Sequence, residues 1–229
     1  MVRWLAAAAL GAMLATGARA DLREDCASAA DVLVRVELCT RLIKTEGLPD
    51  TDRALAHSNR GLAYERLGRL RRALEDYETA VRLDPALAPA YNNRGNVHAA
   101  LGNLEQALAD HSRAVELAPD YAHAYYNRGL DYEELGEGAR AIEDYTRTLE
   151  LDPDYDAARV SRGSLACRLG RVEQAMADFA EAVDRGVIAP ERLQERLQAR
   201  GHYDGAIDGV FGPGSRAALR AWVEGGCRG

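Results

Sequence analysis

The sequence predicts an all-α fold in which antiparallel helix pairs follow one another along the chain. Glycine recurs at 34-residue intervals at four positions: Gly61, Gly95, Gly129 and Gly163. A period of this length is typical of repeated helix pairs that bury their apolar faces against their neighbours. The composition agrees, because Ala, Leu, Arg and Glu are abundant and only 6% of the 229 residues are aromatic. We therefore predict a solenoid of antiparallel helix pairs.

The first twenty residues have the pattern of an export signal. Arg3 precedes an apolar run from Trp4 to Ala15, and Ala18-Arg19-Ala20 has the small residues of a processing site. As a helix, this run would reach about 18 Å, which is too short to cross a bilayer. We therefore expect residues 1–20 to be a signal peptide that is cleaved after Ala20 and directs the chain to the periplasm. A buried N-terminal helix is the alternative.

The charge balance argues against a polyanionic partner. The chain has 29 Lys and Arg residues against 36 Asp and Glu residues, which gives a formal net charge of -7. Nucleic acids and anionic membrane surfaces repel such a chain, so we expect neither as the main partner. After the first twenty residues, no stretch is long and apolar enough for a membrane span.

The four cysteines of an exported chain could form two disulfide bonds. Cys26 and Cys39 are the favoured pair. One continuous helix would place them roughly 20 Å apart, whereas bridged Cα atoms lie within about 7 Å of each other. The bridge therefore requires the chain to turn between them, where Asp31 can cap the next helix. For Cys167 and Cys227 two interpretations stay open, a second bridge or a small buried side chain at Cys167.

Further positions share the 34-residue period. They are the Leu-Gly pairs at 67–68, 101–102, 135–136 and 169–170, the alanines Ala73, Ala107, Ala141 and Ala175, and the rings of Tyr77, His111, Tyr145 and Phe179. Each Leu-Gly pair predicts the end of a first helix, because glycine tolerates the left-handed conformation found there. Pro85, Pro119 and Pro153 predict the ends of second helices, because proline lacks an amide hydrogen. The predicted first helices are 54–67, 88–101, 122–135 and 156–169, and the second helices are 71–83, 105–117, 139–151 and 173–185.

This pattern resembles the tetratricopeptide repeat, whose units carry aromatic residues, a Gly, an Ala and a Pro at these spacings. The small residues lie where two helices must approach closely, and the rings fill the space beside them. The resemblance covers four repeats at residues 54–187, and a divergent helical cap is predicted at 21–53. The fourth repeat departs from the pattern, because Arg159 replaces the first aromatic residue and Val187 stands at the proline position.

An arginine and an aspartate also recur in every repeat, namely Arg60, Arg94, Arg128 and Arg162 with Asp76, Asp110, Asp144 and Asp178. We interpret them as a ladder of ion pairs within or between repeats. An arginine-lined anion site is the alternative. If the pairs are partly buried, only good geometry offsets the cost of removing both charges from water.

The first helices of tetratricopeptide repeats line a concave surface, and the resemblance implies which residues that surface would expose. The candidates are Asn92, Asn96, His123, Tyr126 and Leu130. Hydrogen-bonding groups beside an aromatic face suit an extended peptide. We therefore predict an unidentified protein or peptide as the partner in this groove. A solvated face without a ligand is the alternative.

His98 and His111 replace aromatic residues of the second repeat, on its first and second helices. They could face each other, but a metal site would need further ligands of suitable geometry. We interpret them as core substitutions by a smaller, polar ring. The sequence thus predicts no metal and no cofactor.

After the repeats the sequence becomes rich in glycine, with the run GHYDGAIDGVFGP from Gly201 to Pro213. This run resembles the core motif of the peptidoglycan-binding-like domain, a small three-helix fold. The resemblance implies such a domain at residues 188–229, which we term the C-terminal module. Apolar residues on one face of each flanking helix would form its core: Leu193, Leu197, Leu219, Trp222 and Val223.

The candidate contacts to peptidoglycan are Tyr203, Asp204 and Asp208 of this motif. Because the chain is acidic, hydrogen bonding and stacking from the loop must supply the affinity. Asp208 has a second interpretation, which is that it only stabilises its own turn. The whole module also has a second interpretation, which is that it caps the solenoid without binding peptidoglycan.

The sequence contains no motif for a nucleophile with its base, for paired catalytic carboxylates or for a metal cluster, so we predict that the protein is not an enzyme. The favoured function is an exported protein-binding scaffold with a peptidoglycan-binding module. A protein-interaction scaffold whose C-terminal module is only a structural cap is the alternative. A cell-wall hydrolase is a third class, which cleavage of purified peptidoglycan would reveal.

Overall fold

The computed structural model describes residues 20–227, so the predicted signal peptide lies outside the described residues except for Ala20. Every regular element among the described residues is an α-helix, which confirms the predicted all-α class. None of these helices is long and apolar enough to cross a bilayer. The chain divides into two compact units, the first ending at Pro119 and the second beginning at Asp120.

The first unit contains α1, of which residues 20–28 are described, then α2 (Val32–Ile43), α3 (Asp50–Arg66), α4 (Leu70–Leu83), α5 (Ala88–Ala100) and α6 (Leu104–Leu117). The second unit contains α7 (Ala122–Glu134), α8 (Gly138–Leu151), α9 (Asp156–Arg168), α10 (Val172–Asp184), α11 (Pro190–Ala199) and α12 (Pro213–Glu224). Helices α3 to α10 form the four predicted pairs. Their ends agree with the predicted ends to within one residue, except that α3 begins at Asp50 and not at residue 54.

Two residues after each first helix of a repeat lies a glycine with a left-handed backbone. The φ angles are 69° at Gly68, 78° at Gly102, 77° at Gly136 and 70° at Gly170. This conformation is costly for residues that carry a Cβ atom. After Gly68, the amide of Arg69 donates to the carbonyl of Tyr64 at 2.8 Å, and α4 begins at the next residue. The Leu-Gly pairs therefore end the first helices as predicted.

The two helices of a repeat approach each other closely at the recurring glycine. A Cβ atom added to Gly61 would lie 2.8 Å from Cε1 of Tyr77, and one added to Gly129 would lie 2.7 Å from Cε1 of Tyr145. Both rings are fully buried. A side chain at either glycine would therefore push the helices apart, which explains why glycine recurs there.

A bidentate ion pair joins the two helices of each repeat. Nε and Nη2 of Arg60 donate to the two carboxylate oxygens of Asp76 at 2.8 and 2.7 Å. The same geometry recurs in the pairs Arg94–Asp110, Arg128–Asp144 and Arg162–Asp178. The aspartates are buried, and the arginines are mostly buried. The recurring arginines and aspartates therefore form ion pairs, and each pair lies within one repeat. Because a carboxylate occupies two donors of each guanidinium group, these arginines do not line an anion site.

The carboxyl group of Asp76 has a second hydrogen-bonding partner, since Nδ1 of His57 lies 2.8 Å from its Oδ1. Burial opposes its ionisation, but the hydrogen bonds from Arg60 and His57 outweigh burial and hold the pKa of Asp76 below its ordinary value. A lowered carboxyl pKa stabilises the fold above the pKa of the unfolded chain, and this contribution is lost as the pH falls through the folded-state pKa. The pair in the first repeat is therefore a source of stability at neutral pH and not in strong acid.

A disulfide bond joins Cys26 of α1 to Cys39 of α2, with Cα atoms 4.8 Å apart. The chain turns between the two helices, as this bridge requires. Asp31 caps α2, because its Oδ1 accepts hydrogen bonds from the amides of Leu33 and Val34 at 2.8 and 3.0 Å. The bridge therefore joins α1 to α2, and the cap begins α2 directly after the turn.

A second disulfide bond joins Cys167 of α9 to Cys227, with Cα atoms 5.9 Å apart. The sequence left this bridge open. Cys227 follows α12, so the bond ties the last helix to the fourth repeat across 60 residues of sequence. Closing a loop of this length stabilises a fold by about 4 kcal/mol in the chain-entropy account.

The described part of the C-terminal module contains two helices, α11 and α12, where the resemblance implied three. Both begin at a proline in the first turn, Pro190 and Pro213. Residues 201–212 between them form turns, because Gly201 and Gly209 have left-handed backbones that interrupt a helix. The core residues predicted for the module are all buried, namely Leu193, Leu197, Leu219, Trp222 and Val223.

We expect Asp178→Asn to destabilise the fourth repeat strongly, because it leaves the mostly buried charge of Arg162 without its carboxylate. Removing one partner of a buried ion pair costs roughly 3 kcal/mol. The double variant Arg162→Gln/Asp178→Asn should recover part of the loss, since it removes both charges. The midpoint of urea unfolding measures the effect.

Asp154→Asn is the matched control, because Asp154 forms an exposed pair with Arg185. Exposed pairs contribute little, so its urea midpoint should stay close to that of the unchanged chain. Equal midpoints for Asp178→Asn and for this control would contradict a stabilising role of the pair between the helices.

Candidate functional site

An aromatic cluster lies in the second unit, on α7 and at the start of α9. The ring centroid of Tyr155 lies 4.9 Å from that of Tyr126 and 5.1 Å from that of His123. Tyr126 also packs against the buried ring of Tyr145 at 5.7 Å. His123 is exposed, and Tyr126 and Tyr155 are partly exposed. The cluster thus rests on the core of the third repeat and leaves its rings partly open to solvent.

Leu130 lies on α7 one turn after Tyr126 and is 41% exposed. We term Leu130 together with His123, Tyr126 and Tyr155 the aromatic surface. Burial, helped by the neighbouring Tyr126, Asp152 and Tyr121, raises the pKa of Tyr155 to about 12. The phenol of Tyr155 is therefore protonated at neutral pH and can donate a hydrogen bond beside the rings.

The two asparagines predicted to face the groove belong to the first unit. Asn92 is only 3% exposed, so the prediction that it presents its amide to a ligand is wrong. It shares one side of α5 with Ala88 and Gly95, which are also buried, and this side packs against other helices. Oδ1 of Asn96 lies 3.1 Å from Nε2 of His111, so part of its amide is used within the second repeat.

The histidines of the second repeat lie in different surroundings. His111 is buried and occupies the ring position of its repeat, where a Cβ atom added to Gly95 would lie 2.6 Å from its Nε2. Nε2 of His98 lies 4.0 Å from a carboxylate oxygen of Asp110. Within residues 20–227, no group of three or more His, Cys, Asp or Glu residues is placed to hold a metal ion.

Gln194 organises the glycine-rich loop of the C-terminal module. It is fully buried, and its Nε2 donates to Oδ1 of Asp208 at 2.7 Å and to Oγ of Ser215 at 3.1 Å. Its Oε1 accepts a hydrogen bond from the amide of Gly209 at 3.1 Å. The sequence analysis did not predict this role for Gln194. The feature that could have predicted it is the position of this polar amide between Leu193 and Leu197, on the apolar side of α11.

Two of the three residues predicted to contact peptidoglycan hold this loop together. The hydroxyl of Tyr203 donates to the carbonyl of Ala206 at 2.9 Å. Oδ1 of Asp208 accepts a hydrogen bond from the amide of Val210 at 3.0 Å, and the bonds from Gln194 and Val210 lower the pKa of Asp208. The alternative interpretation of Asp208, that it stabilises its own turn, therefore describes its visible contacts.

The exposed side chains of the loop are of a different kind. Asp204, the third predicted contact, is exposed, and so are Ile207 at 37% and Val210 at 61%. Apolar side chains at the tip of a loop are available for contact with a ligand. The loop therefore offers the carboxylate of Asp204 and two aliphatic groups to its surroundings, whereas the exposed Asp208 already accepts hydrogen bonds from Gln194 and Val210.

The architecture is that of a helical-repeat protein with a small helical module at its C-terminus. The family model of the tetratricopeptide repeat matches residues 54–87, 88–121 and 122–155, and the model of the putative peptidoglycan binding domain matches residues 189–222. The chain is therefore a tetratricopeptide-repeat protein with a C-terminal peptidoglycan-binding-like domain. The fourth pair, α9 and α10, lies outside the repeat match but has the same ion pair.

Similar solved structures are tetratricopeptide-repeat proteins. The crystal structure of MamA is 26% identical, covers 74% of this chain and 92% of that chain, and has a TM-score of 0.60. The first tetratricopeptide-repeat domain of Spaghetti (RPAP3), bound to the HSP90 peptide SRMEEVD, is 28% identical over 51% of this chain and 92% of that chain, with a TM-score of 0.50. MamA from Desulfovibrio magneticus RS-1 is 20% identical over 73% of this chain and 93% of that chain, with a TM-score of 0.62, and supports the fold alone. No curated protein matches the chain.

We expect Gln194→Ala to loosen the loop, because it removes one hydrogen bond from each of Asp208, Ser215 and Gly209 at once. Each such hydrogen bond contributes about 0.5–1.5 kcal/mol to stability. Limited digestion with trypsin should then cut after Arg200 several-fold faster than in the unchanged chain. Gln198→Ala, on the exposed side of the same helix, is the control. If the two variants were cut at the same rate, Gln194 would not be the residue that holds the loop.

Proposed function

We propose that this protein is an exported scaffold that binds a protein partner on its repeats and peptidoglycan through its C-terminal module. Tetratricopeptide repeats and MamA-like folds support the protein-interaction part. The observation that carries it is the aromatic surface, which leaves His123 and Leu130 exposed and Tyr126 and Tyr155 partly exposed. Rigid aromatic groups contribute much of the binding energy at protein interfaces.

The expected partner is an extended peptide segment of another protein. A related domain, that of Spaghetti, is bound to an HSP90 peptide, which supports peptide binding by this fold. The aromatic surface of this chain combines ring faces with the phenol donors of Tyr126 and Tyr155. Such a surface suits a segment with apolar side chains and backbone carbonyl acceptors.

The peptidoglycan part rests on the family match at residues 189–222 and on the exposed loop tip. The signal-peptide pattern of the first twenty residues also supports peptidoglycan binding, because an exported chain reaches the compartment in which peptidoglycan lies. The loop contacts retained for this proposal are Asp204, Ile207 and Val210. Tyr203 and Asp208 would act by holding the loop in shape.

We expect a photo-reactive amino acid at His123 to crosslink a discrete partner in cells. The variant Tyr126→Leu/Leu130→Ala should lower the yield about tenfold, since tyrosine is enriched among the few residues that carry most of the binding energy at interfaces. The same photo-reactive residue at Leu33, which is 61% exposed in the first unit, is the control and should capture no such partner. Equal yields from the two positions would contradict the assignment of the aromatic surface.

We expect the full chain to co-sediment with isolated cell-wall sacculi, and the variant Asp204→Ala/Val210→Ser to lose most of this binding. The matched control is Asp154→Ala/Val34→Ser, which changes an exposed aspartate and an exposed valine elsewhere. Both variants should melt like the unchanged chain, because the altered side chains are exposed. Equal sedimentation of the two variants, or none by any protein, would leave the module as a structural cap.

A further inference from the structure

The two disulfide bonds lie in different surroundings. In the first bridge, Cys26 and Cys39 are both 0% exposed, and each lies within a helix. In the second bridge, Cys167 is also 0% exposed, but Cys227 is partly exposed. Thiol–disulfide exchange begins when a thiolate attacks one sulfur of a bridge, so its rate depends on access to that sulfur. Of the four cysteines, Cys227 is therefore the one that a reductant reaches most readily.

Cys227 also has an unfavourable backbone conformation. Its φ angle is 55°, and among residues 20–227 it is the only residue other than glycine with a positive φ angle. This left-handed conformation crowds the Cβ atom, so it persists only where the surroundings hold it. Its amide donates to the carbonyl of Trp222 at 3.1 Å, and the bridge holds its sulfur. Opening the bridge removes one of these restraints and lets the backbone relax, which favours reduction.

The second bridge restrains α12 more firmly than the neighbouring contacts do. Cys227 lies shortly after the end of α12, so the closed bridge keeps this helix beside α9. The ring of Trp222 also lies 6.0 Å from that of Phe179 on α10. Two exposed ion pairs join α12 to α10, namely Arg216–Asp184 and Arg220–Glu173. Exposed pairs contribute little, so with the bridge open α12 separates from the fourth repeat more often.

We propose that Cys227 is a thiol-exchange site at which a dithiol reductant opens the second bridge and thereby releases α12 from the fourth repeat. One thiolate of the reductant attacks Sγ of Cys227, and a mixed disulfide forms as the original S–S bond breaks. The electron pair of that bond leaves with Sγ of Cys167, which takes up a proton. The carbonyl oxygen of Val223 lies 3.7 Å from this sulfur and accepts its S–H bond.

The second thiolate of the reductant completes the exchange. It attacks the reductant's own sulfur in the mixed disulfide, and Cys227 leaves as a thiolate that is then protonated. The reductant ends as a disulfide, and two electrons and two protons have passed to the bridge. The inference concerns only the attachment of α12, so it does not depend on peptide or peptidoglycan binding.

The first test follows reduction of the folded, oxidised full chain by excess dithiothreitol, which is a dithiol. Samples are denatured in the presence of N-ethylmaleimide, and the labelled cysteines are identified by peptide mass. We expect Cys167 and Cys227 to be labelled about tenfold faster than Cys26 and Cys39, because access and backbone relaxation both favour opening of the second bridge.

The same reaction in concentrated guanidinium chloride is the control. Unfolding exposes every sulfur, so the two bridges should then open at similar rates. Equal rates in the folded chain would overturn the proposal, and so would a tenfold difference that persists in guanidinium chloride, because the difference would then not come from the fold.

The second test measures the release of α12 by trypsin cleavage after Arg220. The chain reduced only at the second bridge and the variant Cys167→Ser/Cys227→Ser should both be cut several-fold faster than the oxidised chain. The reduced chain carries no substitution, so it shows the effect even if the variant folds poorly. The matched control Cys26→Ser/Cys39→Ser should be cut after Arg220 at the unchanged rate. Unchanged cleavage of the selectively reduced chain would contradict the release of α12.

Discussion

The packing of one large ring against one glycine sets the distance between the two helices of a repeat. The ion pair depends on the same contact, because Arg60 directly precedes Gly61 and Asp76 directly precedes Tyr77. At this spacing the guanidinium and the carboxylate meet in a bidentate geometry. A larger residue at Gly61 would widen the gap and lose the geometry that offsets the desolvation of both charges. Glycine, ring and ion pair therefore form one unit, and the sequence repeats that unit every 34 residues.

The residue opposite the buried ring changes with the kind of ring that each repeat has. The hydroxyls of Tyr77 and Tyr145 donate to Glu65 and Glu133 at 3.1 and 2.8 Å. In the second and fourth repeats the ring has no hydroxyl, and the equivalent partner positions hold Ala99 and Cys167 instead of glutamate. Without a hydroxyl to satisfy, the fourth repeat is free to place a cysteine there, and Cys167 forms the bridge to the C-terminal module. The cysteine that stands in the fourth repeat where the first and third repeats have glutamate thus helps to attach the module.

The helices could be predicted closely from the sequence, because their ends depend on local signals. A left-handed glycine such as Gly68 or a proline such as Pro85 ends a helix regardless of what packs around it. Predictions that depend on packing were less reliable. Asn92 was placed on an exposed surface by analogy of position, yet the side of α5 that carries it is buried. The partner of Cys167 and the role of Gln194 depend on residues distant in sequence, which no local pattern specifies.

The glycine-rich motif from Gly201 to Pro213 illustrates why a motif identifies a fold more readily than a ligand. Its polar residues Tyr203 and Asp208 direct their hydrogen bonds to the loop itself, and the buried Gln194 outside the motif completes that network. Groups that are satisfied in this way have little left to offer a ligand without unfolding the loop. Recognition must then come from groups that the fold leaves unused. In this chain such groups lie at the loop tip, at Asp204, Ile207 and Val210, and on the aromatic surface.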